Sequence, residues 1–118
     1  MPYVDGFVRA VPKDKLDEYR KMAELGREVW LAHGATGYME CVADDVPYGE
    51  VTSFPRAVQA TDDETVIFSW ITYESREARD EINKKVMSDP RMNAYDHANT
   101  PFDGKRMIYG GFKSFVEA

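Results

Sequence analysis

The sequence predicts an α+β domain of the ferredoxin-like type, in which elements follow one another as β-α-β-β-α-β. Two stretches place apolar residues at three- and four-residue steps, the helical period, and four carry alternating or β-branched and aromatic runs. Turn chemistry separates them: Pro12, Gly34, the Asp44 to Gly49 run, and Pro101 with Asp103-Gly104. A length of 118 residues fits a single domain, 1–118, around one core. Four antiparallel strands with two helices on one face is the expected arrangement.

Tyr3 to Val11 forms the first expected strand, closed by Pro12. One parity is small and apolar (Val4, Gly6, Val8, Ala10), while the other is larger and partly charged (Tyr3, Asp5, Phe7, Arg9). Lys13 to about His33 is the first helix, with a stripe of Leu16, Tyr19, Ala23, Gly26 and Trp30. Asp14, Asp17 and Glu18 favour its positive end, and Gly34 supplies a left-handed stop. Ala35 to Ala43 is the second strand, with Tyr38, Glu40 and Val42 on one face and Met39, Cys41 and Ala43 on the other. Arg56 to Ala60 fits an extension of a strand. Thr65 to Tyr73 is a strand apolar on both faces, which calls for cover on both sides.

Ser75 is the expected N-cap of the second helix, which buries Ala78, Ile82 and Val86 and ends near Ser88, ahead of Pro90. Asp89-Pro90 reads as a new cap and first helical position for a short helix from Arg91 to about Ala98. The closing strand lies in Pro101 to Phe115. Its aromatic and β-branched content argues against a position at the rim of the sheet, where an unpaired edge would recruit another chain. Within it, Gly110-Gly111 marks a bulge or a close backbone approach.

Composition narrows the function classes. A formal charge of −6 and a pI near 4.9 argue against a nucleic-acid partner held through phosphates. No apolar run is long enough to cross a bilayer, and the first residues lack the basic and apolar regions of a secretory signal. Cys41 is the single cysteine, so no intrachain disulfide can form and a reducing cytoplasm is the expected compartment.

Five stretches, taken together, resemble the YbaA-like family of small bacterial proteins, domain of unknown function 1428. They are Tyr3-Val4-Asp5-Gly6-Phe7, Asp44-Asp45-Val46-Pro47, Val66-Ile67-Phe68-Ser69-Trp70-Ile71, Asp89-Pro90-Arg91-Met92 and Pro101 through Phe112. The resemblance spans nearly the whole chain and implies the dimeric α/β barrel superfamily. It carries over no catalytic residues.

Independently, parity predicts that the sheet face left bare by the helices bears Tyr3, Phe7, Tyr38, Trp70, Tyr109 and Phe115. Such a patch is large for a monomer, so two copies are expected to pack sheet to sheet as a homodimer. Asp5, Arg9, Glu40, Tyr109 and Lys113 share that face by parity. They read either as a polar pocket with a carboxylate acid or base, or as ion pairs fixing the register of two sheets. The catalytic candidates are Asp5, His33 and Glu40; the ligand-binding candidates are Arg9, Trp70, Arg106 and Tyr109. His33 also fits a partner for the helix C-terminus. Asp103, Lys105 and Arg106 form a turn that could line a pocket mouth. His33, His97 and Cys41 show no metal-ligand spacing, and no cofactor is expected. Cys41 is expected to face the helix layer as a buried structural thiol. The resulting expectation is a homodimeric small-ligand-binding protein. The alternatives are a cofactor-independent monooxygenase-like enzyme and a structural dimer without a ligand.

Overall fold

The computed structural model describes residues 2–94 and 99–118. Strands β1 (Tyr3–Pro12), β2 (Gly37–Val42), β3 (Glu64–Tyr73) and β4 (Ile108–Lys113) pair antiparallel in the order β2-β3-β1-β4. This is the split βαβ arrangement expected from the element order. The helices are α1 (Leu16–Ala32), α2 (Phe54–Ala57), α3 (Arg76–Met87) and α4 (Pro90–Asn93).

Local chemistry sets most boundaries. Lys13–Lys15 forms a 3-10 turn, so α1 begins at Leu16, where the apolar stripe begins. Gly34 ends α1 at φ +111°, and the amide of Ala35 returns to the Trp30 carbonyl at 3.1 Å. Ser75 caps α3 by accepting from the Ala78 amide at 3.0 Å, and Asp89 caps α4 from the Arg91 amide at 2.8 Å. The rest of the expected Arg91–Ala98 helix, including His97, falls partly on 95–98, outside the described residues. Arg56 to Ala60 does not extend a strand. Ser53 accepts from the Arg56 amide and Pro55 occupies the first turn, so the segment folds as α2.

The two faces of the sheet are reversed relative to the parity expectation. Register places Tyr3, Asp5, Phe7, Arg9 and Val11 on one face with Ile67, Ser69, Ile71, Tyr73, Tyr38, Glu40 and Tyr109. This is the inner face, beneath α1 and α3: Tyr3, Ile71 and Tyr73 pack with Val29, Ile82 and Val86, and Val11 and Ile67 pack with Tyr19 and Ala23. The small apolar set of β1 (Val4, Gly6, Val8, Ala10) faces outward with Met39, Cys41, Val66, Phe68, Trp70, Ile108 and Phe112. Of the six aromatics expected on the bare face only Trp70 is there. Tyr3, Phe7, Tyr38 and Tyr109 face the helices, and Phe115 lies beyond β4. Cys41 likewise faces away from the helix layer. The reason is pairing over long sequence distance. Asp5 and Arg9 meet partners on α3, α1 and β2, and their burial is thereby satisfied.

α2 covers one end of the outer face. Val58, just past it, is fully buried against Val8, Ala10 and Val66, and Phe54 meets Phe68 edge-on at 5.8 Å. Contrary to expectation, β4 is a rim strand, paired with β1 alone among the described residues. Its Gly110-Gly111 pair keeps continuous register and makes no bulge. Gly111 is the close approach, because a Cβ there would collide with the Tyr3 hydroxyl. Among the described residues, no helix is long and apolar enough to cross a membrane.

Candidate functional site: a cleft between helices and sheet

Where large residues fill the space between α1, α3 and the inner face, the core is closed. Where small ones stand, it opens. Ser69 interrupts Ile67 and Ile71 at the middle of β3, between Phe7 of β1 and Glu40 of β2. Ala23 and Gly26 face it from α1, and Gly110 and Gly111 from β4. The result is a cleft of about 510 Å3, within the range of small-molecule sites. Phe7, Trp30, Phe102, Tyr109 and Met22 supply much of its apolar wall.

Two buried ion-pair networks stand at the base of this cleft. In the first, the Glu40 carboxylate accepts from the Tyr19 hydroxyl at Oε1 and the Tyr38 hydroxyl at Oε2, both at 2.7 Å. Arg9 Nη1 donates to the Tyr19 hydroxyl and lies 3.9 Å from Glu40 Oε1. The Arg9 guanidinium is surrounded by the rings of Phe7, Tyr19 and Phe102, with centroids 5.2 to 5.6 Å away. In the second, Asp5 Oδ2 accepts from the Tyr73 hydroxyl at 2.9 Å, and Asp5 Oδ1 lies 3.4 Å from Arg79 Nη1. Arg79 Nη2 donates to the Tyr3 hydroxyl at 3.1 Å, and its guanidinium lies over the Tyr3 ring. Arg79 Nε lies 3.0 Å from Asp80 Oδ1 but outside hydrogen-bonding geometry.

Burial, with the neighbouring carboxylate adding to it, pushes the Tyr19, Tyr38 and Tyr73 phenols well above their usual range; at Tyr19 the Arg9 charge opposes this. All three therefore act as neutral hydrogen-bond donors. Two polar atoms at the base have no partner among the described residues: Arg9 Nε and Ser69 Oγ, on residues only 7% and 3% exposed. A second, shallower groove of about 300 Å3 runs between α1 and the β2 edge, and Ala23, Tyr38 and Glu40 line both.

The cleft thus gathers Asp5, Arg9, Glu40 and Tyr109, four residues singled out in the sequence. Tyr109 stands at the rim, its ring stacked on Phe7 at 6.4 Å. Asp5, Arg9 and Glu40 are paired within one chain under the helices, rather than facing a second sheet. Trp70 is on the outer face, 5.4 Å from Phe68. His33 meets Asp89 Oδ2 at 2.7 Å and ties the end of α1 to the start of α4. Asp89, bound by Arg91 and His33, is held well below the usual carboxylate range. Arg106 clamps Glu64 through two bonds of 2.8 and 2.7 Å and also bonds Asp103. Lys113 stands opposite Tyr3 at the end of the sheet, exposed.

Ser69, Arg79, Tyr73 and Asn83 were not legible as site residues. Their only sequence signals are a hydroxyl inside an apolar strand and a polar Arg79/Asn83 pair one step from the apolar stripe of α3. Among the described residues, no group of three His, Cys, Asp or Glu side chains could hold a metal ion. Every carboxylate oxygen of Asp5 and Glu40 already faces a donor. A substrate proton would have to compete for them, so the arrangement suits binding better than proton transfer.

Solved structures with the same fold include an uncharacterized NIPSNAP domain protein from Burkholderia xenovorans. It has a TM-score of 0.62 at 13% identity, covering 98% of this chain and 97% of that one. Another is Rv0793 from Mycobacterium tuberculosis, with a TM-score of 0.61 at 18% identity and coverage of 100% and 99%. The chain is 55% identical over 117 residues to the uncharacterized protein YbaA of Escherichia coli K12, and equally to that of Shigella flexneri, covering 99% of each partner. Residues 2–104 match the model of a protein family of unknown function, DUF1428, and the chain belongs to that family.

Proposed function

We propose that the protein binds a small ligand in the cleft between its helices and sheet, as a homodimer of the dimeric α/β barrel kind in the cytoplasm. One observation carries the ligand reading: an open cleft with apolar walls ends on a buried hydroxyl and a buried guanidinium N–H that have no partner among the described residues. Orphaned buried polar groups are costly, about 1–3 kcal/mol each. A core evolved only for stability would have filled the space with a larger apolar residue at position 69.

The homodimer is supported by the outer face. Phe68, Ile108, Met39 and Phe112 are 42%, 46%, 49% and 64% exposed on a surface they share with Gly6, Trp70 and Cys41. A second copy is the simplest cover for an apolar face of this extent. The lone free thiol of Cys41 suits a reducing compartment.

Mass spectrometry of small molecules released from the natively purified protein tests the ligand reading. A stoichiometric compound, lost when Ser69→Leu fills the cleft, is the expected result. Recovery of the same compound from both proteins would overturn it.

A further inference from the structure

We infer that the cleft takes an uncharged ligand with a flat apolar body and one hydrogen-bond-accepting oxygen, seated over Ser69. This rests on the ligand-binding reading above and gives it a chemistry.

The charges come first. Among the described residues, two cations and two carboxylates line the site, and each faces an opposite charge: Asp5 with Arg79 at 3.4 Å, Glu40 with Arg9 at 3.9 Å. A charged ligand would leave water for a site with no counter-charge to spare, which is unfavourable in a low-dielectric interior. An uncharged one carries no such penalty.

The hydrogen bonds select further. The Tyr19, Tyr38 and Tyr73 hydroxyl hydrogens all go to carboxylates, and the Trp30 indole N–H goes to Asn83 Oδ1 at 3.1 Å. The carboxylate oxygens are engaged in turn. Left over at the base are the Arg9 Nε–H, which can only donate, and the Ser69 hydroxyl. The base of the cleft is therefore short of an acceptor. A ligand carbonyl or ether oxygen above Ser69 would give the hydroxyl an acceptor and is the kind of atom the Arg9 Nε–H can use, whereas a ligand N–H could meet the Ser69 oxygen but not the guanidinium.

Shape sets the rest of the molecule. The Phe7 and Tyr109 rings lie within 21° of parallel at one wall, and Trp30 and Tyr38 stand 6.4 Å apart at another. Flat rings on two sides of about 510 Å3 suit a bicyclic aromatic body.

Isothermal titration of the purified full chain with four naphthalenes tests this: acetylnaphthalene (uncharged acceptor), ethylnaphthalene (same shape, no acceptor), naphthoate (anion) and naphthylmethylammonium (cation). Acetylnaphthalene is expected to bind about tenfold tighter than ethylnaphthalene, roughly 1.4 kcal/mol, with both charged probes weaker than either. In Ser69→Ala the acetyl preference should fall to threefold or less while ethylnaphthalene affinity holds. The thermal midpoint of Ser69→Ala should be unchanged or raised, because the lost hydroxyl had no partner. Equal affinity for the acetyl and ethyl probes, tighter binding of a charged one, or an unchanged acetyl preference in Ser69→Ala overturns the inference while leaving a ligand cleft in place. Failure of all four to bind overturns the cleft reading itself.

Discussion

The two faces of one sheet differ more than its four strands do. Beneath the helices the inner face carries Asp5, Arg9, Glu40 and Ser69 among aromatics, and most of its polar atoms are matched by a partner from another element. The outer face carries almost nothing polar: Val4, Gly6, Val8, Ala10, Val66, Phe68, Trp70 and Phe112. Charge has been moved to the side where the protein can answer it, and oil to the side where a second copy can. On the proposed reading the first arrangement serves a pocket and the second an interface, and the same alternating strands serve both.

The comparison is broken most severely from the outside. Phe112→Asp would set a carboxylate in the proposed sheet-to-sheet contact. An uncompensated buried charge costs about 3–5 kcal/mol, and two-fold symmetry applies it to both copies. Sedimentation equilibrium at micromolar concentration should show two chains for the wild type and one for the variant, with the fold unchanged by circular dichroism. A wild-type mass of one chain would refute the dimer.

The inner face breaks next. Arg79→Leu leaves Asp5 buried with only the Tyr73 hydroxyl, and a loss of about 3–5 kcal/mol is expected in chemical denaturation. Arg79→Leu with Asp5→Asn should recover a good part, since no buried charge is then orphaned. A double variant no better than Arg79→Leu alone would mean that the packing of Arg79 over the Tyr3 ring, rather than its charge, is what matters.

Between the faces lies the β4 glycine pair. Gly111→Ala puts a Cβ into the Tyr3 ring and hydroxyl, and the required shift of Tyr3 should cost about 1–3 kcal/mol. Gly104→Ala, where nothing lies near the added carbon, is the control and should be close to neutral. Equal effects at the two positions would remove close approach as the reason for Gly111.

Much of this was legible in the residues and some was not, and the division has a physical basis. Helix ends follow from groups only a few positions apart, so Ser75, Asp89 and Gly34 could be placed as caps and stop. Strand parity is also local, and the two sets of β1 separated correctly. Which set faces the helices is not local: it depends on Arg79, 74 positions from Asp5, and on Tyr19 and Glu40 near Arg9. Read alone, Asp5 and Arg9 look like surface residues, and only their partners make burial the better choice. Asp5 and Arg9 nonetheless go together in the sequence, because parity keeps them on one face whichever way the sheet turns, and the register through Ser69 brings Glu40 to the same face. Ser69 escaped notice because a cavity is a property of what surrounds it.

The smallest expected effect belongs to the clamp that holds the start of β3 to the segment leading into β4. Arg106, bonding both oxygens of Glu64, holds that carboxyl at about 2, below its ordinary value near 4.5. A carboxylate whose folded value is depressed adds stability that is fully present above its unfolded value and disappears as pH falls toward the folded one. The Glu64 contribution should therefore be intact above about pH 4.5 and fade between there and about 2. Asp89, lowered by Arg91 and His33, and Asp103, lowered by the Lys105 amide and Arg106, are depressed as well and also lose their contribution on acidification, so the slope of the wild type alone does not isolate the clamp. The difference between wild type and Glu64→Gln does, because Gln cannot titrate: the stability gap should be constant from pH 7 to 5 and narrow below that. A gap that stays constant down to pH 2.5 would show that the clamp acts through shape and hydrogen bonds rather than charge. The register of β4, and with it the placement of Tyr109 over Phe7 at the cleft rim, would then not depend on the ionisation of Glu64.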